Sequence, residues 1–121
     1  MDEQSFILYS GTFGKIRQVE YHAGSGYISG TNGPIKIRRT MENLLVYLLI
    51  HANGQMVSDE ELMLNVWEAH SLSSSTQRLG RVINDLKTIL TKAGVLEPVI
   101  YRIMGRGYML DNKYVLTLYA K

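Results

Sequence analysis

Between residues 40 and 94 the apolar positions keep a helical period. Met41, Leu44, Leu45, Leu48, Leu49 and Ala52 form one stripe and predict a helix over about 40–53. Thr40 stands where an N-cap is expected, and Gly54 where the helix should stop. Ser58-Asp59-Glu60-Glu61 has the form of a capping box, with Val57 placed to staple onto Leu62. Its acidic first turn suits the helix dipole. The stripe Leu62, Val66 and Trp67 predicts a second helix over about 58–69, with Trp67 in the core. Ser74-Ser75-Thr76-Gln77 reads as another capping box. Leu79, Val82, Ile83, Leu86, Ile89 and Leu90 then predict a longer helix over about 74–93, stopped by Gly94. Only the short polar stretch Ala69–Ser73 separates the second helix from the third.

On either side of this block the pattern is extended. Phe6–Tyr9, the segment holding Ile16, Val19 and Tyr21, Tyr27-Ile28 and Ile35–Ile37 are short apolar runs. Gly24, Gly26, Gly30, Gly33 and Pro34 punctuate them as turns. Residues 1–39 are therefore expected to form an antiparallel sheet of three or four strands. After the third helix, Val99–Ile103 and Tyr108–Leu110 flank Met104-Gly105-Arg106-Gly107, which predicts a β-hairpin over about 99–110. Gly105 and Gly107 read as its turn residues, with Arg106 at the tip between them. Tyr108 is expected to pack on the core. Residues 111–121 include Tyr114–Tyr119, either one more strand or the start of a connector. The order sheet, helix, helix-turn-helix, hairpin is that of a winged helix. The expected fold class is α+β: a winged helix-turn-helix over 40–110, with an N-terminal antiparallel sheet and a C-terminal β-hairpin wing, all in one domain.

Composition narrows the chemistry. The 121 residues suffice for one core and not for two. The absence of cysteine excludes a disulfide framework, a zinc finger and a cysteine nucleophile. The three histidines, His22, His51 and His70, form no metal-like cluster, so no metal or cofactor is expected. The longest apolar run, Leu44–Ile50, falls far short of the roughly 18 residues that span a bilayer. Met1-Asp2-Glu3 is acidic where a signal peptide would be basic. The chain thus reads as soluble, in a reducing compartment.

Catalytic motifs fail on inspection. Gly11-Thr12-Phe13-Gly14-Lys15 is shorter than a P-loop, and Ile16 stands where magnesium binding needs Ser or Thr. His70 beside Ser71 and Ser73–Ser75 is a sequence neighbourhood and not a triad. Asp59, Glu60 and Glu61 are explained by capping. No enzyme is expected. Charge is the more telling feature, because the net +2 is unevenly spread. Residues 1–70 carry five Lys/Arg against eight Asp/Glu, and residues 71–121 carry eight against three. A basic C-terminal half points to a polyanionic partner.

These pieces together carry a family resemblance. Val57-Ser58-Asp59-Glu60-Glu61-Leu62, Val66-Trp67, Leu79-x-x-x-Ile83-x-x-Leu86-Lys87 and Gly105-Arg106-Gly107-Tyr108 resemble the OmpR/PhoB-type winged-helix DNA-binding domain. The family carries Arg where Lys87 stands, and often Thr where Arg102 stands. The resemblance implies a bacterial, sequence-specific regulator of transcription that binds double-stranded DNA. Its further partners would be RNA polymerase and a second protomer paired on the DNA. The domain is expected to start within a few residues of Met1, and no receiver is expected ahead of it. That arrangement is similar to the ToxR/CadC-like branch, where an N-terminal cytoplasmic winged helix precedes a transmembrane helix and a sensor. The expectation is a cytoplasmic domain, either freestanding or tethered to the inner membrane beyond Lys121. The competing reading is a winged helix used as a protein-interaction module in a cytoplasmic or membrane-associated assembly.

On a wheel of 100° per residue, the pole of the third helix opposite its apolar stripe carries Gln77, Arg81, Asn84 and Thr88. Arg pairs bidentately with guanine, Gln and Asn with adenine, so these four are the candidate base readers. Ser74, Arg78 and Lys87 flank the pole as candidate backbone contacts. Arg106 and Arg102 are the wing candidates, Arg106 for a narrow minor groove. Arg38 and Arg39 are weaker phosphate candidates. Gly80 interrupts the helix at a cost of about 1 kcal/mol. Close approach to DNA or tight packing on another helix would each account for it.

Overall fold

The computed structural model describes residues 4–12, 15–95, 98–111 and 115–119, with side chains between residues 19 and 111. Met1–Glu3, Phe13-Gly14 of the glycine-bearing segment, and Tyr114 of the last apolar run lie outside the described residues.

Four N-terminal strands form a meander: β1 (Gln4–Thr12), β2 (Lys15–His22), β3 (Tyr27–Gly30) and β4 (Gly33–Lys36). The first helix, α1 (Arg39–His51), follows. A short strand β5 (Val57–Ser58) leads into α2, which starts as α-helix over Asp59–Leu62. It widens to a π turn over Met63–Trp67 and ends as a 3-10 turn over Glu68–His70. Next come α3 (Thr76–Ala93) and the wing strands β6 (Ile100–Ile103) and β7 (Gly107–Leu110). The last strand, β8 (Val115–Tyr119), returns to the other end of the chain.

Two antiparallel sheets result, ordered β4-β3-β2-β1-β8 and β5-β7-β6. The first has five strands where three or four were expected from residues 1–39. The fifth is β8, which runs along β1 from Gln4 opposite Tyr119 to Leu8 opposite Val115. No local signal could reveal that pairing, because it joins segments more than 100 residues apart.

The helices bury the stripes that define them. In α1 these are Met41, Leu44, Leu45, Leu48 and Leu49; in α3 they are Leu79, Val82, Ile83, Leu86, Leu90 and Ala93. With Val19, Tyr21, Ile28, Leu62, Val66 and Trp67 they make one continuous core. The π turn lets both Val66 and Trp67 face inward while Leu64 stays outside. A single α-helix over 58–69 was expected, and this widening is what differs.

Two caps differ from the sequence pattern. The N-cap of α1 is Arg38, in extended conformation and with no side-chain hydrogen bond, and Thr40 already lies inside the helix. The N-cap of α3 is Ser75, whose Oγ accepts the Arg78 N–H at 3.0 Å; Ser74 precedes the cap. The cap of α2 is Ser58, accepting the Glu61 N–H at 3.1 Å.

A buried carboxylate ties the first sheet to α1. Glu42 Oε2 accepts the Tyr21 hydroxyl at 2.7 Å and the Gly26 N–H at 2.8 Å. Burial, reinforced by Glu42, raises the Tyr21 hydroxyl well above the usual tyrosine range. At the other end, Thr31 N–H donates to the Ala93 carbonyl at 3.1 Å. This docks the β3–β4 turn on the C-terminus of α3. Gly30 permits it, since a Cβ there would lie 2.1 Å from the Ala93 oxygen.

Candidate nucleic-acid interface

The outward pole of α3 is solvent-facing along its length. Gln77, Arg81, Asn84 and Thr88 are all exposed. The apolar stripe on the opposite side fixes this orientation by packing on α1, α2 and the β3–β4 hairpin. The Thr88 hydroxyl donates to the Asn84 carbonyl at 3.1 Å, which leaves its methyl group and lone pairs outward. Gly80 lies one step from the pole on the Lys87 flank, and a Cβ there would meet nothing within 4 Å. Tight helix packing therefore does not account for this glycine.

The flanking candidates are differently engaged. Arg78 is exposed and reaches back to the Ser73 carbonyl at 2.6 Å. Ser74 Oγ donates to Glu68 Oε2 at 3.0 Å, bracing the turn between α2 and α3. Lys87 is half-buried beside a cleft of about 220 Å³ lined also by Leu90, Val95 and Ile100. Arg38 faces Asp85 of α3 at 3.7 Å, an exposed pair of little energetic weight. Arg39 is exposed on the rim of a separate cleft with His51 and His70.

The wing departs most from the sequence reading. The residues at its apex are Met104 and Gly105, with φ of 51° and 66°. Arg106 comes after the apex; its N–H donates to the Ile103 carbonyl at 2.9 Å, and its own carbonyl accepts the Asp59 N–H at 2.9 Å. The Arg106 side chain is exposed. Gly107 is not a turn residue. It pairs with Ser58 across β5–β7, and a Cβ there would lie 2.3 Å from the Val57 carbonyl oxygen. It is glycine because two backbones meet.

Arg102 turns inward to the protein. Its guanidinium binds both carboxylate oxygens of Asp59 and donates from Nη2 to the Gly105 carbonyl at 2.9 Å. It also lies 4.7 Å from the centroid of the Tyr108 ring, which is buried. The Asp59 hydrogen bond raises the Arg102 pKa further. Asp59 opens α2 and its side chain is 10% exposed, so this pair clamps the wing to the helix-turn-helix. Capping alone had accounted for Asp59 in the sequence, and the 43-residue gap to Arg102 hid the pairing. A second tie joins α1 to α2, where the Tyr47 hydroxyl donates to Glu61 Oε2 at 2.5 Å. Desolvation and this bond push the Tyr47 hydroxyl up to about 12.

A three-helix unit with an exposed polar reading helix, a β-hairpin wing and a preceding antiparallel sheet defines the class of winged helix-turn-helix regulators. The chain belongs to the family described as "Transcriptional regulatory protein, C terminal", whose model matches residues 32–110. It is thus a DNA-binding transcriptional regulator of bacterial, OmpR/PhoB type. Among solved structures it is similar to the DNA-binding domain of E. coli CadC, with a TM-score of 0.70 and 22% identity over 84% of this chain and 91% of that one. It is also similar to the C-terminal domain of the nisin resistance regulator NsrR, a lantibiotic response regulator, with a TM-score of 0.61 and 26% identity over 73% and 87% of the two chains. No curated protein matches it. Among the described residues no helix is long and apolar enough to cross a membrane.

Proposed function

We propose that the chain binds double-stranded DNA sequence-specifically, with α3 in the major groove and the wing at the minor groove. Gln77, Arg81, Asn84 and Thr88 are the base readers. Arg78, Lys87 and Ser74 hold the phosphate backbone, and Arg106 supplies a cation from the wing. Arg102 is left out of the contact set, because Asp59 and the Gly105 carbonyl occupy its guanidinium.

The observation that carries this reading is the α3 pole, which is exposed, polar and free of carboxylates. A protein-docking surface would present apolar residues there. The exposed large apolar side chains among the described residues are Tyr27, Ile50, Met56, Leu64, Leu72, Tyr101 and Met104, and none belongs to α3. Two protomers are expected to pair on repeated half-sites about one helical turn apart, with a location in the cytoplasm. Selection of bound duplexes from a random pool, followed by titration of wild type and Arg81→Ala, tests the reading. Enrichment of no motif, or a motif read equally well by Arg81→Ala, would overturn it.

A further inference from the structure

Met104 is 86% exposed, the highest value among the large apolar side chains described. Its φ of 51° lies in the left-handed region, where glycine or asparagine would sit with less strain. Within the fold it gains almost no burial in return. A bulky apolar residue that is both strained and hydrated points to a use outside the fold.

The surroundings say what it meets. Residues 98–111 contain no acidic residue before Asp111, and the exposed Arg106 stands two positions from Met104, so the apex is apolar with a cation beside it, the charge of Arg102 being met by Asp59. The loop is also held from several sides. Arg106 N–H closes it on Ile103, Arg102 holds the Gly105 carbonyl, and Asp59 N–H holds the Arg106 carbonyl. Gly107 seats the following strand directly against Val57. A clamped apex loses little freedom on docking. An apolar side chain beside an exposed cation fits a polyanion with an apolar interior, which is a base stack seen from its groove. Methionine is unbranched and polarisable, one of the side chains able to wedge between base steps.

We propose that Met104 enters the minor groove as an apolar wedge and partly unstacks one base step, so that the wing reads DNA deformability. The inference rests on the reading of α3 and the wing as the DNA-binding surface. A flexible pyrimidine–purine step such as TA opens more easily than a G·C-rich one. The site preference should therefore show at a position where no hydrogen bond is made.

The test uses the duplex selected by the wild-type chain, with the step beneath the wing set to TA, CA or GC. Affinity is titrated, and bending is read from gel mobility of circularly permuted fragments. On the TA site Met104→Ala should lose roughly five- to tenfold in affinity and most of the bend. On the GC site it should lose little, because the wild type gains little there. Met104→Leu should retain the bend. Met104→Gly, which relaxes the turn, should lose the bend while keeping or raising the thermal midpoint. Binding and bending by Met104→Ala equal to wild type at every step would overturn the inference while leaving the role of α3 intact. Unchanged binding with loss of transcriptional stimulation would overturn it too, and would assign Met104 to a protein partner. Absence of any selected site would remove both readings together.

Discussion

The reading helix and the wing reach the same surface by opposite routes. The α3 pole is set by local periodicity: its apolar stripe goes in, so Gln77, Arg81, Asn84 and Thr88 come out. Its reading side chains are held by one backbone hydrogen bond at Thr88 and otherwise face solvent. The wing is set from a distance. Its position depends on Asp59 at the start of α2, on Val57 in β5, and on Arg102 bonded to Asp59. Substitutions in the pole should therefore change binding and spare stability. Substitutions in the wing's supports should change stability first, and binding through geometry.

The largest effect is expected at Gly107. A methyl group there would meet the Val57 carbonyl at 2.3 Å, backbone against backbone, so β5 and β7 must separate. Gly107→Ala should destabilise the fold by about 3 kcal/mol, near the upper end for overpacking. Urea titration measures it. A cost within about 0.5 kcal/mol would mean that the strand pair yields easily and the wing is not rigidly set.

Next is the pole itself. Arg81→Ala should weaken specific binding by roughly 1–3 kcal/mol and relax the preference at one base pair. Its thermal midpoint should stay near wild type, since Arg81 is exposed. Equal losses on cognate and mismatched duplexes would reduce Arg81 to a phosphate contact, and a large drop in midpoint would erase the contrast between the two regions.

Arg102→Ala should come third. It strands the Asp59 carboxylate, whose side chain is only 10% exposed, but the arginine itself is 40% exposed and solvent screens the pair. A cost of about 1–2 kcal/mol is expected, below the value for a fully buried pair. Arg102→Lys keeps the charge and loses the two-pronged geometry, so it should recover only part of the stability. Full recovery by lysine would show that the fork on Asp59 is unimportant.

The same division explains what the sequence made legible. Helix positions, their buried stripes and the outward pole follow from residues three or four apart, and these were readable. The Ser58 cap was readable for the same reason, whereas in the polar run before α3 the capping-box pattern fell on Ser74, one residue ahead of the actual cap Ser75. The Asp59–Arg102 pair, the β1–β8 ladder and the role of Gly107 rest on contacts between distant segments. A glycine-arginine-glycine run looks like a turn with arginine at its tip. Only the pairing of Gly107 with Ile103 across the hairpin moves the apex back to Met104 and Gly105.

The smallest effect is also the sharpest probe of the pole. Gly80 sits within α3 with open space where a Cβ would go, so Gly80→Ala carries no packing penalty. Helix propensity alone should then stabilise the fold by just under about 1 kcal/mol, partly through the unfolded chain. For a domain of this size that is a rise of roughly 4 °C in the thermal midpoint. By 100° steps Gly80 lies beside Gln77 and Asn84, on the edge of the face assigned to the major groove. A methyl group there should hold the helix away from the duplex and weaken binding several-fold, even as the protein becomes more stable. Differential scanning calorimetry and duplex titration on the same preparation separate the two. A gain in stability with unchanged affinity would mean that the helix meets DNA along its Arg78 flank instead, and the reading set would have to be rotated toward that side.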